Sequence, residues 1–324
     1  MKGGFFLSYY TTMDELLNFV SEYIGHPVSR ESTNVITQGA SGRRIIRLRL
    51  DGVSYIAVSW DNQRADNHSF VPVAQYLKSQ GIKVPAILDS VCHTNGSGCA
   101  LVEDLGDINL LSLKGTPWQQ RKEYYQQALI ELNKLHLIPI PSEFDLQPSF
   151  DENLYRWEQE YFAEHFIGTH LHKTPQTWLD HPFLTSITKT LSQLPLTPIH
   201  RDFQSQNIHI HQGKTYLIDF QGMRLGLPEY DLASILYDAY AELDQTQINE
   251  LIDFWISITD KEFNDEHFKL CAMQRLMQAL GAFANIGHNR HNEWYLKQID
   301  PALAHLINIC RESELEAPLK NLLT

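Results

Sequence analysis

The chain has 324 residues, 43% of them apolar and 20% charged, an ordinary globular balance that excludes a largely disordered chain. Lys and Arg number 26 against 39 Asp and Glu, a formal net charge of −13. Nucleic acid and anionic membrane surfaces are poor partners for such a chain unless a local basic patch intervenes. No apolar run approaches the ~18 residues that cross a bilayer, and the length suits two domains or one two-lobed unit. Cys92, Cys99, Cys271 and Cys310 form no CxxC pair, so neither a zinc site nor a disulfide framework is expected. The start, Met1 to Leu7, lacks a signal-peptide core. The expectation is a cytoplasmic monomer with no nucleic-acid or membrane partner.

The first third reads as sheet with interspersed helices. Met13 to Ile24 has apolar residues at helical spacing and stops at Gly25 and Pro27. Val35 and Ile36 lead into the small-residue turn Gln38-Gly39-Ala40-Ser41-Gly42. Arg43 to Leu50 alternates as a strand, Asp51-Gly52 signals a two-residue hairpin, and Val53 to Trp60 is the returning strand. A helix over Asn67 to Gln80 and strands at Ala86 to Val91 and Cys99 to Glu103 follow. Past a hinge at 104–107 the pattern turns helical: Trp118 to His136, Asn153 to Thr169 and Gln176 to Leu194. After a strand-rich interlude at 198–221 come helices over Tyr230 to Ala241, Gln245 to Ile258, Asn264 to Ala284 and Trp294 to Ser313. The expected organisation is a sheet lobe with five strands over 1–103, a hinge at 104–107 and a helical lobe over 108–324.

Chemistry concentrates in His200-Arg201-Asp202-Phe203-Gln204-Ser205-Gln206-Asn207. Tyr216-Leu217-Ile218-Asp219-Phe220-Gln221 follows, with Asp219 twelve positions beyond Asn207. This is the H-R-D-x-x-x-x-N spacing followed by a D-F-x turn that marks protein-kinase-like phosphotransferases. Phosphoryl transfer needs a carboxylate near the attacking hydroxyl, and Asp202 suits that role. Mg²⁺ takes hard oxygen ligands, which Asn207 and Asp219 supply.

Further segments extend the likeness in order: Gly39 to Arg44, Val84 to Leu88, Leu101 to Gly106, Ile218 to Gly222 and Tyr230 to Ser234. On these the chain resembles the aminoglycoside-phosphotransferase-like family. Within it the chain is most similar to the bacterial cell-wall amino-sugar (N-acetylmuramate/N-acetylglucosamine) anomeric kinases. The resemblance implies an α+β, protein-kinase-like two-lobed fold with a small antiparallel-sheet N-lobe and a larger, mainly helical C-lobe. It implies ATP and Mg²⁺ as cofactors and a small-molecule sugar as partner. Asp202 would be the catalytic base, and Asn207 and Asp219 the metal ligands. Gly39, Ala40, Ser41 and Gly42 would close over the nucleotide phosphates, and backbone atoms of Glu103, Asp104 and Leu105 would meet the adenine. Asp231 would anchor the catalytic segment.

Three departures from the family pattern stand out. The strand Ser54 to Trp60 has no Lys and the helix after it no Glu, although kinases pair the two. This favours the amino-sugar subgroup and leaves Arg43 or Arg44 as candidates for the phosphates. Gln204 stands where many relatives carry His. Gln221 replaces the usual Gly of the metal motif, which favours a permanently formed site. Among weaker candidates, Glu158, beside Trp157, Tyr161 and Phe162, and Arg224 could meet the substrate. Asp238 and Asp244 could face the acceptor, while His209 and His211 lack a third metal ligand.

The function expected is transfer of the γ-phosphoryl group to a sugar hydroxyl, with two alternatives: an aminoglycoside phosphotransferase, and a nucleotide-binding pseudokinase or scaffold. A protein kinase fits poorly, because only eight residues separate Phe220 from Glu229 and no Ala-Pro-Glu segment follows.

Overall fold

A computed structural model describes residues 12–36, 43–64, 67–142, 144, 146–259 and 262–324. Contacts divide the chain into two units: Met1–Asp107 with Tyr216–Gln221, and Ile108–Thr215 with Gly222–Thr324.

The first unit opens with helix α1 (Met13–Ile24). Thr12 and Glu15 form a capping box at its start, and Gly25 closes it at φ 87°, the left-handed conformation glycine adopts without penalty. Its apolar stripe, Leu16, Leu17, Phe19 and Val20, packs on Ile46, Leu48, Ala57 and Leu101 of the sheet. That sheet has five antiparallel strands in the order β1-β2-β3-β5-β4: β1 (Thr33–Ile36), β2 (Arg44–Leu50), β3 (Val53–Trp60), β4 (Ile87–Cys92) and β5 (Gly98–Glu103). Asp51 (φ 51°) and Gly52 (φ 80°) both adopt positive φ, which gives the β2–β3 turn the twist a two-residue hairpin needs. Helix α2 (Phe70–Ser79) buries Phe70, Val71, Val73, Ala74 and Leu77. The Leu217 amide donates to the Lys83 carbonyl at 2.8 Å, tying 216–221 into this unit. The sequence reading assigned that stretch, and Asp219 with it, to the helical lobe.

The second unit carries α3 (Trp118–Leu137), α4 (Glu152–Phe162), α5 (Gln176–Leu179), α6 (Pro182–Ser192), α7 (Pro228–Leu236), α8 (Gln245–Ile258), α9 (Asp265–Asn289), α10 (Glu293–Leu296), α11 (Ile299–Ile309) and α12 (Glu316–Leu323). Helix α9 is its spine, packed by α4, α7 and α11. At Gly281 a Cβ would come within 2.8 Å of the Tyr161 ring and 3.1 Å of the Phe162 backbone, so the close α4–α9 approach requires glycine there. Strands β6 (Thr197–Ile199) and β9 (Arg224–Gly226) pair antiparallel. Between them lie β7 (Ile208–His211) and β8 (Lys214–Leu217), a two-stranded pairing of their own.

Several expected helices are interrupted. The segment expected to be helical over 153–169 changes at Ala163 into a π-helix running to His170. The one expected over 176–194 breaks before Pro182, which starts α6 at its first turn, where a missing N–H is harmless. The helix expected over 230–241 ends at Leu236, and that over 294–313 divides into α10 and α11. Among the described residues no helix is long and apolar enough to cross a membrane.

Candidate active site

In the second unit, β6 runs out at Ile199 and the chain turns through His200-Arg201-Asp202. Arg201 sits at φ 75°, a left-handed conformation costly for a side-chain-bearing residue unless its surroundings hold it. The holder is Asp231 on α7. Its fully buried carboxylate accepts the His200 amide at 2.7 Å and the Arg201 amide at 2.8 Å. The His136 Nε2 lies 3.1 Å from the same carboxylate. A second buried carboxylate, Asp238, accepts the Ser205 amide at 2.7 Å and the Tyr240 amide at 2.9 Å. The two therefore grip the segment at both ends of Asp202. Asp244 caps α8 by accepting the Gln247 amide at 2.9 Å.

Asp202 pairs with the Arg201 guanidinium at 2.8 Å. Burial pushes its carboxyl pKa up, but the charge of Arg201, joined by Arg275 and His200, outweighs this and holds it below the ordinary value. The Arg201 pKa is raised in turn, chiefly by Asp202. Asn207 donates through Nδ2 to the Asp202 carbonyl at 2.9 Å. That bond fixes the amide plane and commits the nitrogen, so the remaining amide function is an oxygen, a hard ligand.

In the first unit, Asp219 lies beyond β8 at φ 63° with its side chain 40% exposed. Its Oδ1 accepts from the Arg43 Nη2 at 2.9 Å and from the Gln221 Nε2 at 2.7 Å. The Arg43 side chain is only 6% exposed, and its guanidinium lies 5.4 Å from the centroid of the Phe70 ring. Phe70 stacks on Phe220 at 5.8 Å and 6° between planes. Gln221, the departure from the usual glycine, thus holds the carboxylate directly.

The other candidates scatter. Gly39, Ala40, Ser41 and Gly42 lie outside the described residues. Arg44 opens β2 opposite Ser59, with an exposed side chain. At the hinge, Asp104 accepts from Ser54 at 2.5 Å and from Arg47 at 3.0 Å, while Glu103 accepts the Ala86 amide at 3.0 Å. Both side chains work within the first unit, and Leu105 is buried. Glu158 is 1% exposed and accepts from the Tyr230 hydroxyl at 2.7 Å and from Gln274 at 3.0 Å. It belongs to a buried network, which corrects the reading of it as a sugar contact. Arg224 lies 5.4 Å from the centroid of the Phe150 ring, and burial lowers its pKa. Among the described residues no three His, Cys, Asp or Glu side chains gather around a common metal position.

Sequence reasoning missed the grip of Asp238. A hydrogen bond accepted from a backbone amide 33 positions away leaves no local pattern. The Asp in Tyr237-Asp238-Ala239-Tyr240, just past a helix end, was the available signal.

Comparisons with known proteins agree with this architecture. The phosphotransferase enzyme family matches residues 32–266. An N-acetylmuramate/N-acetylglucosamine kinase of Neisseria meningitidis serogroup B is 26% identical over 268 residues, 78% of this chain and 79% of the relative. One of the same name from Pseudomonas putida is 25% identical over 311 residues, 91% of this chain and 88% of the relative. Among solved structures, amicoumacin kinase in complex with AMP-PNP, Ca²⁺ and Ami superposes with a TM-score of 0.60 at 14% identity, covering 87% of this chain and 92% of that one. A thermostable mutant of aminoglycoside phosphotransferase APH(4)-Ia gives 0.59 at 14% identity, covering 88% and 97%. With a five-stranded antiparallel sheet in one unit, a helical second unit and this match over most of its length, the chain belongs to the phosphotransferase enzyme family and has its two-lobed, protein-kinase-like α+β fold.

Proposed function

We propose that this phosphotransferase moves the γ-phosphoryl group of ATP to a sugar hydroxyl, the anomeric hydroxyl of N-acetylmuramate or N-acetylglucosamine. The observation that carries the reading is Asp202: a carboxylate whose pKa is held down by Arg201, Arg275 and His200 together, on a segment gripped by two buried carboxylates. Such a group accepts the acceptor's proton as its oxygen bonds to phosphorus, and the bond to the leaving phosphate breaks. The amino-sugar acceptor is supported by the names of the two relatives, each matched over more than two thirds of its length.

The donor set suits Mg²⁺, which takes one or two carboxylates together with substrate phosphates rather than an all-protein cage. Asp219 offers a half-exposed carboxylate and Asn207 an amide whose nitrogen is already committed. Bound there, the ion would neutralise charge between the phosphates. Gly39 to Gly42 are proposed to lie over the phosphates and backbone atoms of Glu103 to Leu105 along the adenine. Arg224 is retained as a candidate contact for an anionic acceptor.

The test is a turnover screen of purified protein with ATP and Mg²⁺ against N-acetylmuramate, N-acetylglucosamine, hexoses and aminoglycosides. Amino sugars should be the preferred acceptors. Turnover of aminoglycosides alone would reassign the substrate, and binding of nucleotide without any turnover would make the chain a pseudokinase. Asp202→Asn should lower kcat by about a thousandfold while leaving nucleotide affinity within about twofold; full activity would remove Asp202 from its role.

A further inference from the structure

Strand β3 carries no lysine and α2 no acidic residue, so the first unit must place a phosphate-facing cation by other means. Three observations bear on this. Arg43 follows directly on the small-residue segment 39–42, whereas Arg44, its neighbour, points out as an exposed strand residue. The Arg43 side chain is almost wholly covered yet keeps a charge-assisted bond to a carboxylate that is 40% exposed. And its flat cation lies against Phe70, itself stacked on Phe220 of the Asp219-Phe220 pair. A guanidinium on an aromatic face keeps its charge but loses rotational freedom, so the Phe70 ring does what an acidic helix residue would otherwise do.

We infer that Arg43 and a divalent cation compete for the carboxylate of Asp219, and that Arg43, steadied by Phe70, turns to the nucleotide phosphates when the cation holds that carboxylate. Arg43 is then a positioning residue for metal and nucleotide together. Arg43 and Gln221 both donate to Oδ1 of the carboxylate. A divalent cation held by that oxygen would take the place of the guanidinium charge there, while the neutral Gln221 amide can rotate. The inference rests on the kinase reading and adds an opposite-sign signature to it.

The decisive experiment uses Arg43→Gln and the full chain, with two binding measurements made apart from turnover. Mn²⁺ alone, followed by electron paramagnetic resonance on nucleotide-free protein, should bind about tenfold more tightly in the variant. ADP in the presence of saturating Mg²⁺, followed by calorimetry, should bind about tenfold more weakly; the loss of one charge-assisted bond is of this size. Arg43→Lys should recover most of the ADP affinity. A merely structural role would weaken both ligands together. Both weakened, both unchanged, or Mn²⁺ bound more weakly overturns the inference. A wild-type protein that binds neither Mn²⁺ nor ADP overturns the kinase reading itself. Should Arg43→Gln fail to fold, Phe70→Leu keeps both charges and removes the aromatic face; it should shift the two affinities in the same opposite directions by about threefold, and a shift of both in one direction overturns the proposal.

Discussion

Asp202 and Asp219 are both acidic residues of one motif, and the molecule supports them in contrasting ways. The segment around Asp202 is held by Asp231 before it and Asp238 after it, both buried and both bonded to backbone amides. Asp219 is half-exposed and held by the side chains of Arg43 and Gln221. Backbone held by buried carboxylates does not move without breaking the core, whereas a carboxylate held by side chains can exchange partners. The contrast matches the roles proposed for the two: a base must stay aimed, and a metal ligand must admit an ion.

The largest effect that would sharpen this contrast is on stability. Asp231→Ala leaves two buried amides and His136 without their acceptor and should cost about 3 kcal/mol or more in urea unfolding. Asp219→Asn should cost less than ~1 kcal/mol, since a surface change is mild and Asn tolerates positive φ. Equal losses in the two variants would erase the distinction. Next comes the acid limb of the kcat/KM profile. Burial raises the Asp202 pKa, and Arg201, together with Arg275 and His200, more than reverses it. Arg201→Gln should therefore move that limb to higher pH, while wild type keeps activity down through the ordinary carboxylate range. An unmoved limb would mean that another group titrates.

The smallest effect concerns Glu158, whose pKa burial raises despite hydrogen bonds from Gln274 and Tyr230. A carboxyl with a folded pKa above its unfolded value favours folding when protonated. Its contribution is full below the unfolded value and lost as pH rises through the folded one. Wild type should thus lose stability relative to Glu158→Gln between pH 4 and the raised value. Unfolding curves at pH 5 and pH 8 should show the gap moving in the variant's favour.

Much of this was readable in the residues. The Asp51-Gly52 hairpin, α1 and α8 fall where periodicity and turn chemistry place them, because each is decided by neighbours in the chain. The three oxygen donors, Asp202, Asn207 and Asp219, stand out by spacing alone. What stayed hidden depends on contacts distant in sequence. The switch to π-helix at Ala163 has no compositional mark. Glu158 read as a candidate substrate contact because Trp157, Tyr161 and Phe162 flank it, yet Tyr230 and Gln274 close over it from 72 and 116 positions away. Arg43 meets Asp219 across 176 positions, a pairing no local pattern encodes.

The left-handed turn at Arg201 carries one more consequence. Successive amides of His200 and Arg201 converge on a single carboxylate, the geometry of a backbone nest that would otherwise capture a soluble anion. Asp231 is in effect an anion supplied by the chain itself. Emptied by Asp231→Ala, the hollow should accept formate, and millimolar formate should restore part of the lost melting temperature where the larger benzoate does not.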